Sequence, residues 1–178
     1  HGGKVLWLVD ALLVSMDSLQ TQANTFAISN FTGVDDILFR YGVKLNTNLV
    51  TDMQCAKIPI VTGQYQNNTP QMTYYPWNFF PEISPNANHI ISDKISPVKM
   101  EFASSIDTTN SPAKKTVLLS SSNRTRVLNS PVNVSLQMLK QKQDASLFNS
   151  GAKDVAILLE GEFSSAFKNR LTPEMELN

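Results

Sequence analysis

Lys4-Val-Leu-Trp-Leu-Val9 is an unbroken apolar run of strand length that stops at Asp10. A strand with one face in water alternates apolar and polar residues; a run apolar at every position fits a strand covered on both faces, as in a parallel sheet. The pattern returns at Thr116-Val-Leu-Leu119, which leads into Ser120-Ser-Ser-Asn-Arg124. It returns again at Asp154-Val-Ala-Ile-Leu-Leu159, which leads into Glu160-Gly-Glu162. Asn48-Leu-Val-Thr51 is a further strand, ending at Asp52.

One helix stands between these runs. Thr32 is placed to cap Gly33–Tyr41, Asp35 and Asp36 suit the positive end of the helix dipole, and Gly42 is a stop signal. Val34, Ile37, Leu38 and Tyr41 fall on one face at helical spacing. Apolar strands with an intervening helix predict an α/β fold, a mainly parallel sheet flanked by helices in the Rossmann-like manner.

Other segments are less regular. Residues 11–30 lose periodicity and read as a long, partly packed connection. Lys57–Thr62 reads as an edge strand, because Pro59 cannot donate to a ladder. Residues 63–92 form an irregular insertion or subdomain: Pro70, Pro76, Pro81 and Pro85 interrupt the aromatic cluster Tyr74, Tyr75, Trp77, Phe79 and Phe80, giving a loop or hairpin tucked on the core. Asn86–Ser92 suggests a short helix, Pro97–Phe102 a half-exposed strand, and Val132–Lys140 either element.

At 178 residues the chain fits a single domain. Equal numbers of basic and acidic residues, 15 each, exclude the basic excess that holds proteins on phosphate backbones, so no nucleic-acid partner is expected. Cys55 is the one cysteine, which rules out an internal disulfide and a thiolate metal cage. The longest apolar stretch, Val5–Val14, contains Asp10 and is far shorter than the roughly 20 residues that span a bilayer. The chain starts at His1-Gly2-Gly3 with no initiator methionine, which reads as a fragment of a larger, membrane-anchored protein.

Reactive constellations are scarce. No glycine-rich phosphate loop follows a strand, and no Gly-x-Ser-x-Gly elbow occurs. Cys55 lacks flanking glycines and reads as an incidental thiol, His89 as a capping or surface residue, and Glu160 with Glu162 as solvent-facing carboxylates where a strand leaves its sheet. No catalytic set, cofactor or metal site is predicted. In parallel sheets ligands bind beyond the strand carboxyl ends, which nominates Asp10, Asp52, Ser121 and Glu160 as a candidate ligand crevice. Tyr74, Tyr75 and Trp77 are a candidate partner surface, since Tyr and Trp dominate protein contacts.

Three strings, Gly2–Asp10, Gly33–Gly42 through Asn48–Asp52, and Val155–Phe167, together resemble the GldG family. Ile95-Ser-Pro-Val98, Phe102–Asp107 and Leu118–Ser122 extend the similarity over nearly the whole chain. The resemblance implies an auxiliary or substrate-binding-like part of an ABC transporter linked to gliding motility. It also implies a position on the extracytoplasmic face of the inner membrane, with permease and ATPase partners and anchoring helices outside these residues. A more remote resemblance is to the glutamine-amidotransferase-like α/β fold, whose nucleophile elbow is missing here. The expectation is a non-catalytic binding or scaffolding domain; the alternative is a ligand receptor or enzyme working at the crevice.

Overall fold

Every residue of Asn48–Asp52 is buried, and the rest of the chain is arranged around that strand. The computed structural model describes residues 2–22, 24–141 and 143–165. In chain order they form β1 (Leu12–Leu13), α1 (Met16–Thr21), β2 (Thr25–Ser29), α2 (Asp35–Tyr41), β3 (Val43–Leu45), β4 (Asn48–Asp52), β5 (Cys55–Gln64) and β6 (Pro70–Pro85). There follow β7 (Val98–Lys99), β8 (Ile106–Thr108), β9 (Lys114–Ser120), β10 (Thr125–Asn129), β11 (Val132–Val134), two short 3-10 turns, and β12 (Asp154–Glu160).

The parallel, Rossmann-like α/β sheet expected from the apolar runs is not formed. Each strand pairing among the described residues is antiparallel, and helix accounts for only 13%. The fold is mainly β, with a five-stranded sheet ordered β12-β9-β6-β5, to which β7 adds, and a curled half-barrel. Parallel pairing needs long crossovers, usually helical, and the two α-helices span six and seven residues. Thr116–Leu119 and Asp154–Leu159 pair directly with each other and are mostly half-buried rather than sealed. Lys4–Val9 forms no strand: Val5, Leu6 and Leu8 are 75%, 82% and 86% exposed.

Of the two readings of the aromatic, proline-rich stretch, loop or hairpin, the structure forms the hairpin, with the long strand β6 paired to β5. Its register accommodates the prolines. Lys57 faces Pro76 and Pro59 faces Tyr74; two steps apart, these pairs belong to the same class of an antiparallel ladder, where non-hydrogen-bonded pairs need no N–H. β5 is the terminal strand of its sheet, as Pro59 suggested. Asn86–Ser92 makes turns instead of a helix.

Two apolar clusters flank β4. Leu49 packs with Trp77, Phe79, Phe80, Phe102, Val132 and Val134, while Val50 packs with Ile83, Ala103 and Val155. Adjacent strand residues point to opposite faces, so one strand serves both clusters. Phe102 meets Phe80 edge-on at 5.2 Å, at φ 53°, a backbone region that a bulky residue occupies only under constraint.

The helix expected from its end signals is present, shortened to Asp35–Tyr41. Leu38 is buried and Val34, Ile37 and Tyr41 are half-buried. Thr32 does not cap it; the residue before the first turn is Val34, without a side-chain cap. Gly42 ends it at φ 117°, and a Cβ there would collide with Ser111 Oγ and lie 2.7 Å from Lys115 Cε. Gly42→Ala is therefore expected to destabilise the fold by about 2 kcal/mol, read as a lower urea midpoint at unchanged slope.

Candidate functional site

The most connected polar group is the Asp52 carboxylate, which has no solvent exposure. It ends β4, where the chain turns into β5. Oδ1 accepts from Gln54 N at 2.8 Å and Ser122 Oγ at 2.6 Å; Oδ2 accepts from Ser122 N at 2.7 Å and Thr125 Oγ1 at 3.1 Å. Ser121 Oγ lies 2.9 Å from Thr125 Oγ1 and accepts from Lys153 N at 2.8 Å. Each hydroxyl carries one proton. With Ser121 donating to Thr125, the single Thr125 proton has two acceptors in reach, Asp52 Oδ2 at 3.1 Å and the Ser122 carbonyl at 2.8 Å. Lys153 joins through its backbone, so no amine or imidazole stands ready to activate Ser121. The cluster braces the β4–β5 turn, the β9–β10 loop and the approach to β12.

Of the four crevice candidates, the structure thus brings Asp52 and Ser121 together, through Thr125. Asp10 instead lines a cleft of about 340 Å³ with Asp17, Glu101, Leu12, Met16 and Phe102. Glu160, at the far end of β12, pairs with Lys114 Nζ at 2.9 Å on the surface. The antiparallel pairings supply no common set of strand carboxyl ends to join these sites. Among the aromatic candidates Tyr74 is 63% exposed and Tyr75 half-buried, whereas Trp77 is 2% exposed and packs against Phe79 with ring centres 4.9 Å apart and planes tilted by 45°.

Sequence reasoning passed over a second polar cluster. A cleft of about 310 Å³ is lined by Asn46, Asn48, Ser105, Asp107 and Lys153 among others. Asn46 Nδ2 donates to Asp107 Oδ2 at 2.8 Å, Asn48 Nδ2 to Ser105 Oγ at 3.0 Å, and Ser105 N to Asn48 Oδ1 at 3.0 Å. The available signal was the Asn-x-Asn spacing, which turns two amides to one side of an extended chain. These groups satisfy one another and tie β4 to the segment before β8.

Burial first, then Asp52 and Glu82, push the Cys55 thiol from 9.0 up to about 11, which disfavours the nucleophilic thiolate. His89 Nδ1 accepts from Ile91 N at 3.2 Å within a turn. Among the described residues no group of three or more His, Cys, Asp or Glu side chains could hold a metal ion, and no helix is long and apolar enough to cross a membrane.

A family model described as an ABC-type uncharacterized transport system, the ABC transport auxiliary domain, matches residues 1–178. The chain belongs to that family. It is thus an auxiliary component of an ABC-type transport system. No curated protein and no solved structure matches it.

This ABC transport auxiliary domain bares apolar side chains on one sheet face. Leu12 and Ala27 point inward at 4% and 0% exposure, and their neighbours Leu13, Phe26 and Ile28 point outward at 53%, 58% and 48%. Leu13 stands beside Ile28 across the β1–β2 ladder, and Phe31, 92% exposed, follows β2.

Two outcomes are expected for the auxiliary domain. Asp52→Asn turns one acceptor into a donor facing donors, at a cost of about 3 kcal/mol, visible as a Tm lowered by roughly 6–12 °C. Stability also falls as pH rises from about 9 to about 11, because the unfolded chain has released the Cys55 proton that the folded chain keeps. Cys55→Ser removes that slope, which alkaline denaturant titrations of both proteins measure.

Proposed function

We propose that the chain is a non-catalytic scaffolding domain of a GldG-type protein, acting on the extracytoplasmic side of the membrane in an ABC transport assembly linked to gliding motility. In this reading it belongs to a larger membrane-anchored protein and docks against the permease and its ATPase-bearing complex. The observation that carries the reading is the bare β1–β2 face. Leu13, Phe26 and Ile28 lie exposed on one face of the β1–β2 pair, with the exposed Phe31 just past the end of β2, and apolar surface gathered in this way is where proteins meet partners. The polar clusters support it from the other direction: Asp52, Ser121, Thr125, Asn48 and Ser105 are bonded to one another or to backbone, so their chemistry is spent on holding the fold.

The GldG resemblance supports the link to gliding and the extracytoplasmic position. Affinity capture of the full-length protein from its native membrane tests the proposal. Recovery of a permease and an ATPase in constant ratio is expected; recovery of soluble metabolic enzymes alone would defeat it.

A further inference from the structure

We propose that the cleft lined by Asn46, Asp107 and Lys153 is a binding site for a small zwitterion, a molecule of the free α-amino-acid class that carries an ammonium and a carboxylate together. The inference does not depend on what covers the β1–β2 face. Separate networks hold the two walls of the cleft. In one, Asn46 Nδ2 donates to Asp107 Oδ2 at 2.8 Å and to Ser105 Oγ at 3.1 Å, while Asn48 and Ser105, 7% and 4% exposed, bond each other. In the other, Lys153 N donates to Ser121 Oγ and the Lys153 carbonyl accepts from Ser121 N, each at 2.8 Å, and Ser150 N donates to the Thr125 carbonyl at 2.8 Å. The wall that carries Lys153 is thus fixed by the same network that seals Asp52. Polar groups set in place beforehand lose little freedom when a ligand arrives.

The charges suit a ligand better than they suit each other. Lys153 and Asp107 line one cleft, yet they stand too far apart to form an ion pair. The bonds of Lys153 run through its backbone, so the fold does not consume its amine. Asp107 is exposed, and its bond from Asn46 occupies one of the roughly four acceptor positions that a carboxylate offers. A lone anion drawn to Lys153 meets Asp107 as a like charge, and a lone cation drawn to Asp107 meets Lys153. Like charges brought together cost binding energy. A zwitterion gives each group an opposite partner. At about 310 Å³ the cleft lies at the small end of the ~300–1,000 Å³ range of ligand sites, which suits a molecule of amino-acid size. None of the described residues that line it is aromatic, so a base or sugar ring finds no stacking surface there.

Calorimetric titration of the intact protein at low salt tests the proposal, with the twenty common amino acids as probes and acetate, methylammonium and glucose as comparisons. At least one amino acid is expected to bind with a Kd below about 1 mM, and the three comparison compounds at least about 10-fold more weakly. Lys153→Gln and Asp107→Asn are each expected to weaken that binding about 10-fold or more. Both variants are expected to melt within about 2 °C of the parent, because the asparagine keeps an oxygen for Asn46 and the glutamine leaves the backbone bonds intact. No binding by any amino acid at about 10 mM overturns the proposal. So does acetate or glucose binding as tightly as the best amino acid, which would mark an anion site or a hydroxyl site, and so does binding that both substitutions leave unchanged. Should the Asp107 variant fail to fold, Lys153→Gln alone decides.

Discussion

A carboxylate sealed from water must be compensated by donors, and in this domain that requirement organises the fold. Asp52 accepts four hydrogen bonds at 2.6 to 3.1 Å, from Gln54, Ser122 and Thr125. Those donors belong to two turns that sequence separates by about 70 residues, and Ser121 carries the network on to the segment before β12. Such bonds to a charged acceptor are shorter and stronger than neutral ones. With the turns fixed, β4 is held against β10 in register from Asp52 opposite Thr125 to Asn48 opposite Asn129. Leu49 and Val50 are thereby presented to opposite apolar clusters.

This arrangement explains why residues that look chemically capable are used structurally. Ser121 has a hydroxyl next to Thr125 and a carboxylate beyond it, yet the bonds run toward the interior and toward backbone. The Cys55 thiol is pushed up to about 11, chiefly by burial. Among the described residues, the outer face of β1–β2 and the run before it are among the places that leave large apolar side chains exposed. In the proposed docking role, that exposed apolar surface is where neighbouring proteins would sit.

Parts of this were legible in the residues. Gly42 and the spacing of Val34, Ile37, Leu38 and Tyr41 located the helix, because a left-handed stop and a helical stripe are local signals. Pro59 located the edge strand for a similarly local reason. Strand direction was not legible. Thr116–Leu119 and Asp154–Leu159 are as apolar as parallel strands, but their antiparallel pairing is set by which partners the turns bring close. The prolines of β6 suggested irregularity because their harmlessness depends on register, which only the paired structure reveals. Asp52 and Ser121 could be nominated from their places at strand ends, but Thr125, close to Ser121 yet 73 residues from Asp52, and the backbone of Lys153, 32 residues from Ser121, make the pair a brace only once the chain is folded.

The central claim is that the domain acts through its exposed apolar face while its buried polar clusters hold the fold. Hydroxyl-radical footprinting of side chains, comparing the free full-length protein with the same protein in its native membrane assembly, tests this most directly. The account predicts that Leu13, Phe26, Ile28 and Phe31 lose labelling on assembly while residues around the Asp10 and Asn46–Lys153 clefts keep theirs. Unchanged labelling on the β1–β2 face, with loss confined to either cleft, would contradict it.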